Sequence, residues 1–208
     1  MYGIHDFGVF LLTGIILNLT PGPDTLYILG RSMAQGRGAG VASVLGISTG
    51  SLVHTFAAAF GLSAILAASA SIFFAIKLAG AAYLIYLGAR MILSRASAAR
   101  MPSVFSSTGF WRIYRQGLVT NVLNPKVALF FLAFMPQFIA ADSPSKFAAF
   151  VTLGLSFITT GTLWCLCLAW FSSLLGARLR SNNRFAEVLN RTAGALFVFL
   201  GVRLAVSK

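Results

Sequence analysis

Twice in this chain, proline breaks a stretch that is otherwise apolar enough to cross a bilayer. The first break is Asn18-Leu-Thr-Pro-Gly-Pro-Asp24 and the second is Asn121-Val-Leu-Asn-Pro-Lys126. Lipid cannot satisfy freed backbone groups, so such breaks persist only against protein or a water-filled cavity. Paired broken helices in two halves of one chain are the best sequence pointer to a transport site.

Composition agrees with lipid as the main solvent. The chain is 58% hydrophobic and only 10% charged, with a mean hydropathy of +0.85. Soluble domains carry roughly 25% charged residues. At 208 residues there is room for about six spans of roughly 20 residues each. The predicted spans are Phe7–Gly30, Val41–Ala68, Ile72–Leu93, Gly117–Ala140, Phe147–Leu175 and Val188–Val206. Residues 1–6 hold no Lys or Arg and lack the basic start of a cleavable signal peptide, so the first span is expected to be retained.

The spans repeat in threes. Span three ends Ala79-Gly-Ala-Ala-Tyr-Leu-Ile-Tyr-Leu-Gly-Ala-Arg90, and span six ends Ala193-Gly-Ala-Leu-Phe-Val-Phe-Leu-Gly-Val-Arg203, a match with one gap. Spans one and four share an Asn followed by Thr20-Pro21 or Asn124-Pro125. An odd number of spans per repeat inverts the second copy in the membrane. The expected fold is therefore an all-α integral membrane protein of six transmembrane helices, arranged as two inverted three-helix repeats with broken helices 1 and 4. One domain covers residues 1–208, with repeat 1 over about 7–93, a cytoplasmic linker over about 94–116, and repeat 2 over about 117–206.

Net charge is +12. The basic residues lie in short loops, where they read as topology signals and contacts to anionic lipid rather than as a nucleic-acid surface. Eleven Lys and Arg fall after spans one, three and five, against Lys77, Lys146, Arg203 and Lys208 on the other side. That asymmetry predicts those three loops in the cytoplasm and both termini outside.

The breaks carry the chemistry. Pro21 and Pro23 lack N–H groups and free the carbonyls of Leu17 and Leu19, with Gly22 adding backbone freedom between them. Free carbonyls beside the N–H groups of a restarting helix suit a zwitterion, carbonyls for an ammonium and amides for a carboxylate. Pro125 frees the carbonyl of Asn121, with Asn124 as N-cap, and Pro136 is expected to kink the same span. Against this stands the simpler reading that the prolines only bend helices.

Asp24 is the only acid within a predicted span and Lys126 the only clearly intramembrane base. A charge there costs about 2.5–3.5 kcal/mol on insertion scales, so the two are expected to pair or to meet water. Asp24 reads as a proton or substrate-ammonium site or as a helix cap. Lys126 reads as its partner, as a carboxylate contact, or as a snorkelling side chain. Asn18 and Asn121 either line the cavity or satisfy freed carbonyls. Ala42, Gly46, Gly50 and His54 share one helix face, the pattern of close packing, with His54 either a hydrogen-bonded structural residue or part of a pathway. Tyr83, Tyr86 and Trp164 are further candidates to line the route.

Cys165 and Cys167 are two positions apart on one span and cannot bridge each other. Phosphate-loop, zinc-protease and Cys-x-x-Cys signatures are absent from the sequence, so no enzyme activity, cofactor or metal is expected.

The first proline motif and the run Gly117-Leu-Val-Thr-Asn-Val-Leu-Asn-Pro-Lys-Val-Ala-Leu-Phe-Phe131 resemble the LysE/RhtB amino-acid exporter family. So do Met135-Pro-Gln-Phe138, Gly38-Ala-Gly40 to Gly46, and Leu78 to Gly88, with the homoserine/threonine-type branch the nearest in pattern. The resemblance implies a bacterial inner-membrane protein exporting an amino acid or close derivative, driven by the proton or cation gradient. It puts Pro21, Gly22, Pro23, Asp24, Asn124, Pro125 and Lys126 at the family's signature positions. Alternating access between the two repeats is the expected mechanism, and small-residue faces allow a homodimer without requiring one. The alternatives are a transporter of metal ions or another small solute, and a transmembrane redox carrier, which the cysteine placement disfavours.

Overall fold

The computed structural model describes residues 2–62, 70–93, 108–172 and 183–206. Within them the chain is helical: α1 (Phe7–Leu19), α2 (Pro23–Gln35), α3 (Arg37–Ala57), α4 (Ala70–Leu93), α5 (Phe110–Val122), α6 (Pro125–Leu129), α7 (Lys146–Trp170) and α8 (Asn183–Val206). α3 runs on through a π turn, Ala58–Leu62. No strand occurs among the described residues, only an isolated antiparallel bridge between Ile4 and Ile139. The ends expected at Ala68 and Leu175, and residues 94–107 of the linker, lie outside the described residues.

Both expected breaks are present. α1 stops at Leu19 and α2 restarts at Pro23 with a bend of 49°; α5 and the segment Pro125–Phe138 meet at 48°. Taken as single spans these bent pairs are long and apolar enough to cross a bilayer, as are the unbroken helices Arg37–Leu62 and Lys146–Trp170. Leu78–Leu93 is a shorter apolar stretch. Two boundaries differ from the sequence expectation. α2 continues to Gln35 rather than ending near Gly30, and α5 begins at Phe110 rather than Gly117. The aromatic and basic run Phe110–Arg115 is thus the first turns of a helix, with Trp111 and Arg112 on its exposed side.

Pro136 does more than kink its helix. The chain loosens into a π turn over Phe130–Phe134 and then tightens into a 3-10 turn over Met135–Phe138. A proline cannot donate and crowds the preceding turn, so the backbone changes its hydrogen-bond register around it. The segment after it returns to the N-terminus: the His5 amide donates to the Phe138 carbonyl at 3.0 Å, and the Ala140 amide to that of Gly3 at 2.8 Å.

Close helix crossings occur where glycine removes a side chain. A Cβ on Gly46 would strike the Tyr114 carbonyl and the Leu118 amide of α5, and one on Gly50 would lie 2.7 Å from Asn121 Oδ1. Gly88 of α4 and Gly194 of α8 face each other's carbonyls, while Gly201 faces Ala81 and Ile85. These contacts make α4 and α8 antiparallel, α3 and α5 parallel. Gly14 against Phe157 and Gly161 against Asn18 make α1 and α7 parallel as well. Within lipid, association rests on this close packing rather than on water exclusion. The largest core cluster is aromatic, with Phe10, Phe130, Phe134, Phe138 and Phe157 buried together and the Phe130 and Phe157 rings stacked at 4.7 Å.

Candidate functional site

The two breaks are built differently. At the end of α1 the Thr20 amide doubles back to the carbonyls of Ile16 and Leu17 at 3.1 and 3.2 Å, and its hydroxyl also donates to Ile16 at 2.7 Å. α2 then starts with Gly22 at its N-cap, which offers no side chain to the first-turn N–H groups. Gly22 is extended (φ −157°), a conformation any residue adopts, so left-handed freedom is not why glycine stands there. Space is the reason: a Cβ would come within 3.2 Å of Lys126 Nζ. At the second break Asn124 caps α6 itself, its Oδ1 accepting from the Lys126 amide at 3.1 Å, with Pro125 at the first helical position.

Four of the polar side chains at the breaks, Asn18, Asp24, Asn121 and Lys126, converge. Asn121, which is 1% exposed, donates from Nδ2 to Asp24 Oδ2 at 2.8 Å and so joins α5 to α2. Lys126 reaches back across the molecule, donating from Nζ to the carbonyls of Leu17 (3.1 Å) and Thr20 (2.9 Å). Of the two arrangements expected for Asp24 and Lys126, a direct pair or contact with water, the direct pair is not formed, and both line a cavity. Instead the carboxylate takes an amide donor and the ammonium takes backbone carbonyls. Asp24 Oδ1 and Asn18 Nδ2 are buried without a hydrogen-bond partner, as is Asn124 Nδ2.

Asn18, Asp24, Asn121 and Lys126 all line one cavity of about 40 Å3, room for about one water. Ser48, Ser51 and Thr162 add hydroxyls, and Ile47, Phe157 and Ile158 supply an apolar wall. Ser48 and Thr162 are hydrogen-bonded across α3 and α7 at 2.7 Å, and Ser51 donates to Asn121 Oδ1 at 3.3 Å. These hydroxyls were not singled out from the sequence, although Ser48, Ser51 and Thr55 recur at helical spacing.

His54 donates from Nε2 to the Asn121 carbonyl at 3.1 Å, which also accepts from the Asn124 amide at 2.9 Å, and stacks on Phe131 with ring centres 5.7 Å apart. Tyr83 lies elsewhere, in an apolar groove shared with Pro125, Leu129 and Leu132. Trp164 packs beside Ile28 and Leu168, and its buried Nε1 has no hydrogen-bond partner. Cys165 reaches the cavity wall and Cys167 is exposed.

A second polar cluster joins α2 to the start of α5. Arg31, 4% exposed, donates to Gln116 Oε1 at 2.5 Å and to Thr108 Oγ1 at 3.1 Å. Tyr27 donates to the Ile113 carbonyl at 2.8 Å, and the Thr108 amide to Gln35 at 3.0 Å. In sequence Arg31 counted only as a loop charge.

Apolar helices broken around a small polar cavity define a multi-pass membrane protein with the features of a transporter. Residues 15–208 match the model of the LysE type translocator family, and the chain belongs to that family. It is 29% identical to the leucine efflux proteins of Salmonella typhimurium and Salmonella typhi over 98% of this chain and 96% of each relative. It is 30% identical to an uncharacterised membrane protein of Pseudomonas aeruginosa over 99% of this chain and 97% of that one. No solved structure matches the chain.

Proposed function

We propose that the chain is a secondary transporter that exports a neutral, aliphatic amino acid from the cytoplasm, coupled to the proton or cation gradient. The observation that carries this reading is the cavity where an unpartnered carboxylate oxygen, an amide and an ammonium meet an apolar wall. Asp24 Oδ1 receives the substrate ammonium. Asn18 Nδ2 and the remaining N–H of Lys126 receive its carboxylate, and Ile47, Phe157 and Ile158 take the side chain. With one acid and one base at the centre, a cationic side chain would find no second carboxylate. The leucine efflux relatives support this class over the homoserine/threonine-type branch that the motifs resembled.

The architecture proposed is six spans in two inverted three-helix repeats within a bacterial inner membrane, both termini outside. Near-equal bends at the two breaks and the antiparallel α4–α8 crossing support it. The cavity is far too small for an amino acid, which fits a state closed on both sides of an alternating-access cycle. The test is export from dipeptide-loaded cells expressing wild type or Asp24→Asn at equal membrane abundance, with the medium scanned by mass spectrometry. Expression-dependent efflux of leucine-like amino acids, lost in the variant, is the expected result. Absence of amino-acid efflux from well-expressed wild type would overturn the proposal.

A further inference from the structure

Lys126 occupies a position that its own helix disfavours. It is the second residue of α6, where the helix presents its positive pole and favours anions. What holds the ammonium lies on another helix. Its two partners, the carbonyls of Leu17 and Thr20, belong to the C-terminal end of α1, the negative pole of that helix. The proline break supplies the site, because Pro21 cannot donate to Leu17 and the chain leaves helical geometry at Thr20. Gly22 keeps it open, since a Cβ would crowd both Nζ and Cε of Lys126. Carbonyls at a helix C-terminus inside a membrane are the donor set with which broken-helix transporters coordinate a free cation.

We propose that Lys126 is a tethered cation: its ammonium fills a monovalent-cation site formed by the Leu17 and Thr20 carbonyls, so that transport needs neither sodium nor potassium. The inference rests on the transporter reading above. It assigns the lysine a role distinct from pairing with Asp24, whose Oδ1 is buried without a hydrogen-bond partner. Two of the three ammonium N–H groups are spent on carbonyls, which leaves one for the cavity that Lys126 lines.

Removing the tether should turn the slot into a site for a cation from solution. In Lys126→Ala the carbonyls lose two charge-assisted hydrogen bonds, and export should fall about ten- to hundredfold. The purified wild type and variant are compared by thermal unfolding in detergent with ammonium, methylammonium, sodium, potassium or choline as the chloride salt. Export is measured in proteoliposomes under the same salts. Wild type should show one Tm in every salt and one export rate in sodium, potassium or choline. Lys126→Ala should gain Tm in ammonium or potassium, and recover export in potassium, relative to choline.

Lys126→Gln, whose amide can still donate to a carbonyl, guards against a variant that does not fold. It should be stable in every salt and export poorly. A wild type whose export or Tm requires sodium or potassium would overturn the proposal. So would a folded Lys126→Ala indifferent to all the cations. The unfolding measurements need no substrate, so failure of wild type to export an amino acid would count against the transporter reading while the cation site was still being decided.

Discussion

Asn121 Nδ2 lies 2.8 Å from Asp24 Oδ2, and this bond joins the two broken helices across the polar cavity. Residues 97 positions apart thus share one site, each beside its own proline break. A hydrogen bond to a charged group contributes about 1.5–3 kcal/mol, more when its loss strands a buried partner. Asn121→Ala and Asp24→Asn should each reduce export. The double variant should lose less than the sum of the two, the signature of residues acting on each other. Equal membrane abundance, checked by immunoblot, separates this outcome from misfolding, and strict additivity would show that the bond has no functional weight.

Gly22 offers a finer probe. Its backbone is extended and the nearest obstacle to a Cβ is the flexible end of Lys126. Gly22→Ala should therefore insert and fold as wild type does while displacing the ammonium from its carbonyls, so export falls with little change in Tm. A large loss of Tm would mean that the glycine serves the backbone after all.

Gly46 should behave in the opposite way. The atoms a Cβ would meet are backbone, the Tyr114 carbonyl and the Leu118 amide, and neither can swing aside. Gly46→Ala should separate α3 from α5 and reduce folded protein several-fold in size-exclusion profiles. Gly161→Ala faces the Asn18 amide at 3.1–3.4 Å and should cost far less stability, with its main effect on export.

His54 donates to the Asn121 carbonyl, which also accepts from the Asn124 amide. His54→Ala removes one of those two donors and should destabilise by about 0.5–1.5 kcal/mol. His54→Gln keeps a donor and should recover most of it. The role is structural, so the pH profile of export in His54→Gln should match wild type. A shifted profile would make His54 part of the proton path.

Arg31 fastens α2 to α5 by reaching Gln116 and Thr108 together. Arg31→Lys retains the charge but not the planar fork that spans two acceptors. Export by Arg31→Lys should therefore resemble Arg31→Ala more than wild type. Full activity in the lysine variant would show that charge alone suffices.

Sequence by itself determined the breaks, their residues and the close-packed faces. Proline cannot donate a backbone hydrogen bond, and lipid offers no substitute, so Pro21, Pro23 and Pro125 had to interrupt their helices wherever the chain folded. Asn124 capping α6 was legible for the same reason, being a contact between residues two apart. Partners across the fold were not legible. That Lys126 turns from Asp24 to the Leu17 and Thr20 carbonyls, that His54 takes the Asn121 carbonyl, and that Gly22 is there for room depend on where the helices cross. Ser48, Thr162 and Arg31 became visible only then. Helix crossings depend on ångström-scale fit between faces far apart in sequence, and an ion inside a membrane settles on whichever polar group that fit brings within reach.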